Sequence, residues 1–136
     1  MDIRIGEEAD KKRIINLRPQ AEAYFTKDYF LVAEDEDILG CATVFRRSIP
    51  APISAVEAFI LLIDVFAEEN RNRGIGSLMV QKILELEREK GTYQVRAYCD
   101  IKNTASHHLW LKNRFGISPD KLADGSIPGS FVTYVL

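Results

Sequence analysis

The sequence predicts a mixed α/β (α+β) fold in one domain, and three observations carry that prediction. The run Val56–Phe66 is long and apolar without alternation, which marks a central strand covered on both faces. Directly after it stands a basic turn with glycines at 74 and 76, and then an amphipathic helix, Leu78 to Lys90. Behind the helix Tyr93–Asp100 alternates, so Val56–Asp100 forms a strand–helix–strand crossover, most simply parallel and right-handed. Antiparallel strands on either side make the sheet mixed, with helices on its faces.

In chain order, Ile3-Arg4-Ile5 is a short strand and Gly6-Glu7-Glu8 an acidic turn. Asp10 is placed to cap a helix through Leu17, with Ile14, Ile15 and Leu17 apolar. Pro19 breaks that helix or opens a second one, Gln20 to Lys27. Tyr24 and Phe25 on that segment, with Tyr29, read as core packing. Tyr29–Glu34 and Ile38–Arg47 flank the turn Asp35-Glu36-Asp37 and predict an antiparallel hairpin. Gly40 inside the second strand suggests a bulge or a close backbone approach. Arg46 and Arg47 at its end read as solvated, and Pro50-Ala51-Pro52 as an extended loop.

On the helix after the glycine turn, Ile75, Met79, Ile83 and Leu86 form the apolar stripe, with Glu85, Glu87, Arg88 and Glu89 off it. Gly91 suits the left-handed position that ends a helix. Asn103 or Thr104 caps a last helix to about Asn113. Gly116–Gly129 reads as turns, and Phe131–Leu136 closes the chain as a strand offering an edge for a homodimer.

The totals bound the function. A chain of 136 residues with 46% apolar and 28% charged residues is long enough for one buried core and is not disordered. A net charge of −2 argues against nucleic acid as a partner. No apolar run reaches the roughly 18–20 residues that span a bilayer, and Met1-Asp2-Ile3-Arg4 lacks a signal peptide's apolar core. The expectation is a cytoplasmic protein with no membrane partner. Cys41 and Cys99 have no metal-motif spacing and fall in predicted strands, where packing explains them. Adjacent His107 and His108 point about 100° apart on a helix and form no metal face, so no metal is expected.

The segment Arg71-Asn72-Arg73-Gly74-Ile75-Gly76-Ser77 is the strongest functional signal. The first-turn N–H groups of a helix and its macrodipole attract anions, and glycine lets backbone approach them closely. A P-loop needs lysine after the second glycine, and here Ser77 follows Gly76. A dinucleotide fingerprint needs a third glycine three positions on, where Met79 stands. What fits is Arg-x-x-Gly-x-Gly after a long central strand.

With that motif the chain resembles the GNAT family of acyl-CoA-dependent N-acyltransferases, from Phe66 through Gly76 without a gap. The element order over nearly the whole chain, and a helix opened by Asn103 and followed by Trp110 and Phe115, extend the resemblance. It implies a GNAT-like, mostly antiparallel central sheet with one parallel, splayed strand pair. It further implies that residues 71–77 hold the pyrophosphate of acetyl-CoA, with Ser77 as an added donor and Asn103 at the second signature. The pantetheine arm would pair with backbone near Val65 and Phe66, and an amine on a small molecule or peptide would attack the thioester directly. That attack requires a neutral amine, a polarised carbonyl and a donor for the leaving thiolate.

Two departures bear on catalysis. Trp110 stands where the family's usual tyrosine acid stands, and indole N–H is a donor but no acid near neutral pH. Tyr98 and Ser106 are the other hydroxyls in view. Asp64 is an acid in an apolar strand, suited either to proton abstraction or to pairing with Arg71, Arg73 or Arg96. Glu22 and Tyr24 are candidate acceptor contacts, by the family's use of its first helices. The implied activity is acetyl transfer from acetyl-CoA to an amine, with a non-catalytic CoA-binding or regulatory domain as the alternative.

Overall fold

The structure, a computed structural model, describes residues 1–136. Seven strands form one sheet in the order β1-β2-β3-β4-β5-β7-β6. Along the chain these are β1 (Asp2–Ile5), α1 (Glu8–Leu17), β2 (Tyr29–Asp35), β3 (Asp37–Ile49) and β4 (Ala55–Val65). There follow α2 (Ile75–Glu89), β5 (Gln94–Asp100), α3 (Thr104–Lys112), β6 (Gly116–Asp120) and β7 (Gly129–Val135). Every neighbouring pair is antiparallel except β4 and β5, which α2 connects in parallel.

Burial divides the molecule at the sheet. On one face Ile75, Met79 and Ile83 of α2 pack on Leu31, Val44, Ile60 and Val95, with Trp110 and Phe115 beside them. On the other, Ile14 of α1 and Ala21 cover Val32, Cys41 and Phe66. The central strands β2, β3 and β4 therefore send alternate side chains to two different cores.

The β2–β3 hairpin pairs as expected, with a register shift beside Ala33 that leaves Leu39 unopposed. Gly40 follows that bulge, and a Cβ there would sit 2.6 Å from the Asp64 carbonyl oxygen, so both readings of this glycine hold. Gly91 ends α2 at φ +76°, a conformation natural to glycine.

Several expectations need correction. Glu7, not Asp10, is the N-cap of α1; Asp10 reaches back from inside the first turn to accept the Glu7 N–H at 2.8 Å and grips Arg4 at 2.8 and 2.9 Å. These hydrogen bonds from Arg4 outweigh desolvation and pull the Asp10 pKa down to about 2. The second helix is a single 3-10 stretch, Pro19–Tyr24, and Tyr24 is exposed rather than packed. Phe25 and Tyr29 are half-buried against the two cores.

Glu87 is fully buried at the foot of the α2 stripe, where the Tyr29 hydroxyl (2.7 Å), Arg46 Nε (3.0 Å) and the Thr92 hydroxyl (2.7 Å) all donate to it. Arg46 is thus a half-buried ion-pair partner of an interior carboxylate, while Arg47 pairs with buried Glu57 at 2.7 Å and stays largely solvated. Residues 116–120 form an edge strand, not turns; an edge accommodates Pro119, which can give no N–H to a second neighbour. β7 then lies between β5 and β6, with β6 covering it from Gly129 to Thr133. No helix is long and apolar enough to cross a membrane.

Candidate active site: a split between parallel strands

The site begins where the parallel pair stops pairing. β4 and β5 are in register from Glu57↔Gln94 to Ile60↔Ala97 and no further, although β4 runs on to Val65 and β5 to Asp100. β4 meanwhile stays bonded to β3, with a register shift at Thr43/Val44 that leaves Leu61 unopposed at the point of divergence. Beyond that bulge, backbone polar groups on the β5 side of β4 have lost their strand partner. The Phe66 N–H is donated to Leu39 in β3 at 2.8 Å. Because such groups alternate along a strand, those of Ile63 and Val65 face the gap. For Phe66 the expectation changes at the N–H, which β3 engages, and its side chain is buried in the core beneath α1.

The gap opens into a cleft of about 680 Å³ on the α2–α3 side. Ile63, Asp64 and Val65 form one wall, the loop Asn70–Ser77 without Arg73 one end, and Asn103, Ala105, Ser106, His108, Leu109 and Lys112 the α3 side. Ten predicted positions thus meet in one cavity: Asp64, Val65, Arg71, Asn72, Gly74, Ile75, Gly76, Ser77, Asn103 and Ser106. Phe66, Arg73 and Tyr98 lie outside its lining. Ile63, Asn70, Ala105, His108, Leu109 and Lys112 are additions; on α3, Ala105, His108, Leu109 and Lys112 recur at the helical spacing that makes one face.

At the loop, Asn72 (φ 63°) and Gly74 (φ 77°) adopt left-handed backbone, which asparagine and glycine tolerate best. These turns swing the chain from β4 into α2, and Gly74 serves as its N-cap with no side-chain acceptor for the first-turn N–H groups. Arg73 is tied to Asn70 Oδ1 at 2.9 Å. Arg71 is exposed and makes no ion pair or side-chain hydrogen bond, leaving its charge available at the mouth of the cleft. The Ser77 hydroxyl accepts from Asn113 Nδ2 at 3.1 Å, so its own proton remains free to donate.

Asn103 caps α3 by accepting the Ser106 N–H at 3.0 Å. The hydroxyl of Ser106 in turn accepts the indole N–H of Trp110 at 3.0 Å. Trp110 itself is 1% exposed and packs on Phe115 at 4.9 Å between ring centres, so it does not reach the cleft. Asp64 shares its register position with Cys41, a residue of the core beneath α1, and its carboxylate lies on that face. It pairs there with Arg18 Nε at 3.1 Å, not with Arg71, Arg73 or Arg96. Burial, reinforced by the Asp64 charge, pushes the Cys41 thiol up to about 12, so it stays protonated. Arg18 also stands over the Phe66 ring at 5.4 Å and lines a second cavity of about 690 Å³ under α1. Tyr98 is on the α1 side as well, stacked edge-on to Phe131, with its hydroxyl 3.2 Å from Asp120. The split therefore joins two faces: basic loop and helix terminus on one, Asp64 with Arg18 on the other.

Compared with known proteins, the sequence matches the family described as Acetyltransferase (GNAT) family over residues 5–116. Among solved structures, the fold is similar to Arabidopsis thaliana NAA60 in complex with acetyl-CoA, at TM-score 0.77 and 13% identity over 99% of this chain and 98% of that one. Ribosomal-protein-alanine N-acetyltransferase from Brucella melitensis is similar at TM-score 0.75 and 20% identity, with 100% of both chains covered. Arabidopsis thaliana Naa50 in complex with the bisubstrate analogue CoA-Ac-MVNAL is similar at TM-score 0.77 and 12% identity, again over 100% of both chains. At such identities the likeness establishes the fold. A comparison with curated proteins finds no match.

Proposed function

The chain belongs to the acetyltransferase (GNAT) family, and from that premise we propose that it transfers acetyl from acetyl-CoA to a primary amine by direct attack on the thioester. The observation that carries this is the split itself. A gap in a sheet, with unpaired backbone on one lip and a basic helix terminus at its end, fits a molecule with an amide-bearing arm and a pyrophosphate. In this reading the pyrophosphate lies at Arg71–Ser77, supported by the uncapped α2 first turn, the Ser77 hydroxyl and the Arg71 guanidinium at one end of the cleft. Lys112 adds a cation on the α3 side. The pantetheine arm pairs with Ile63 and Val65 as an added strand would, and Asn103 borders it. A volume of about 680 Å³ lies within the range for small-molecule sites.

In this reading the donor enters from the α2–α3 face, and the amine approaches from the α1 face. The pair Asp64–Arg18 stands at that second opening. Asp64 accepts a hydrogen bond from the incoming amine and passes its proton to water, while Arg18 keeps the carboxylate oriented. Backbone N–H at the split polarises the thioester carbonyl without reorganising.

Peptide N-termini are the first acceptor class to test, because the fold is shared with proteins named as a ribosomal-protein-alanine N-acetyltransferase and as Naa50 bound to CoA-Ac-MVNAL. The test is release of free thiol from acetyl-CoA with peptides and small amines, run beside thermal shifts with acetyl-CoA, ATP and NAD. Thiol release that depends on an amine supports the proposal. Acetyl-CoA binding without release under any amine would reduce the site to binding, and a shift with ATP or NAD alone would reject the donor assignment.

A further inference from the structure

When a thioester is cleaved, negative charge gathers on sulfur, and a donor aimed there speeds the step. Two hydroxyls in the cleft have the proton free and the oxygen held, Ser77 within the phosphate loop and Ser106 on α3, and only the second stands away from that loop. Ser106 lines the cleft, and its oxygen accepts the Trp110 indole N–H at 3.0 Å. Its backbone is pinned by Asn103 at 3.0 Å, and no group of the protein accepts its hydroxyl proton. The clamp on its oxygen is rigid, since Trp110 is 1% exposed and wedged against Phe115. Position along the cleft follows from the chain. A Cβ at Gly76 would lie 3.4 Å from Leu109, and Ser77 accepts from Asn113, so the last turns of α3 stand at the phosphate loop and its first turn, with Ser106, lies away from it.

Resting on the transferase reading above, we infer that Ser106 donates a hydrogen bond to the departing sulfur, and that Trp110 is the positioning residue that keeps it aimed. The amine lone pair forms the C–N bond, the C–S bond breaks, and its electron pair goes to sulfur. A serine hydroxyl is far less acidic than a thiol, whose pKa is near 8.5, so Ser106 shares its proton and does not surrender it. The proton lost from nitrogen goes to water, and the thiolate takes one from water, which balances the reaction. Donation by the indole polarises the Ser106 O–H and strengthens the bond it makes to sulfur. This explains how a tryptophan with no access to the substrate serves a site where an acidic side chain is missing.

The test uses the full chain, acetyl-CoA and the amine that gives the fastest thiol release, beginning with the peptide MVNAL. Ser106→Ala lowers kcat by about 10- to 100-fold, the range for a hydrogen bond to a charged acceptor, while KM for acetyl-CoA stays within about twofold. Ser106→Thr restores most of the loss. Replacing the Trp110 indole by benzothiophene, which keeps the ring and removes only the N–H, lowers kcat by about three- to tenfold in the native chain. It does so by less than about twofold in the Ser106→Ala background, because its effect passes through the hydroxyl. A Ser106→Ala enzyme with native kcat would overturn the inference and leave the transferase reading standing. An equal loss from the Trp110 replacement in both backgrounds would reduce Trp110 to a packing role and overturn its half. A native chain that releases no thiol with any amine would overturn both readings.

Discussion

Replacing Arg71 by alanine isolates the electrostatic part of donor binding. Arg71 is exposed at the cleft mouth and has no partner within the chain, so its loss disturbs no other contact and should leave the melting temperature unchanged. Two unit charges about 4 Å apart interact by about 1 kcal/mol in bulk water and about 4 kcal/mol at an effective dielectric of 20. An exposed guanidinium belongs nearer the lower figure, and its charge-assisted hydrogen bonding brings the total to about 1–2 kcal/mol. That predicts a rise in Kd for CoA of about 5- to 30-fold. The rise should shrink as salt increases and the Debye length falls below about 10 Å. Calorimetric titration of native and Arg71→Ala protein with CoA, and then with acetyl-pantetheine, separates the parts, since the second ligand lacks the pyrophosphate. Equal affinity of both proteins for CoA, or an equal loss with acetyl-pantetheine, would refute the assignment of this loop.

Three further outcomes test other parts of the account. Asp64→Asn preserves shape and an acceptor for Arg18, so kcat should fall about 100-fold, as for loss of a general base, with CoA affinity little changed; equal loss in both would show a structural role only. Glu87→Ala strips three donors of a fully buried acceptor and should destabilise the chain by about 3–5 kcal/mol in urea denaturation, a change below about 1 kcal/mol contradicting the buried network. Asp10, held by Arg4 at about 2 instead of its ordinary 3.8, contributes about 2 kcal/mol when charged. The folded-state pKa is depressed, so this contribution is present above pH 4 and lost as pH falls towards 2. The stability gap between native and Asp10→Asn protein should therefore close between those values, and a pH-independent gap would refute it.

Local patterns carried most of the architecture. The crossover, the hairpin and the loop Arg71–Ser77 are written in contiguous residues, where period, glycine position and charge fall within one window. The features that escaped are those that join distant segments. Asp64 meets Arg18 across 46 positions, and nothing in the surrounding strand distinguishes Arg18 from the arginines nearer in sequence. Glu87 sits four residues after Ile83, in line with Ile75 and Met79, so its burial was present in the spacing. Its charge hid it, because a buried carboxylate needs partners that only tertiary structure reveals. β6 escaped for the opposite reason: an exposed edge strand with Gly116 and Pro119 has neither alternation nor apolar content to betray it. At the site, the loop Arg71–Ser77 that ends the cleft was legible as a glycine-bearing turn into a helix, while the route from Trp110 through Ser106 needed the helix phase and the indole's direction. The engagement of the Phe66 N–H by Leu39 needed the β3–β4 register.

The central claim is that the split between β4 and β5, ending at the Arg71–Ser77 loop, holds the acetyl donor. Amide NMR of the isotope-labelled chain titrated with CoA tests it most directly. The account predicts shifts concentrated at residues 70–77, at Ile63 and Val65, and in the first turn of α3, with Asp37–Leu39 beside the second cavity unmoved. Shifts centred on that second cavity, or none at millimolar CoA, would contradict it.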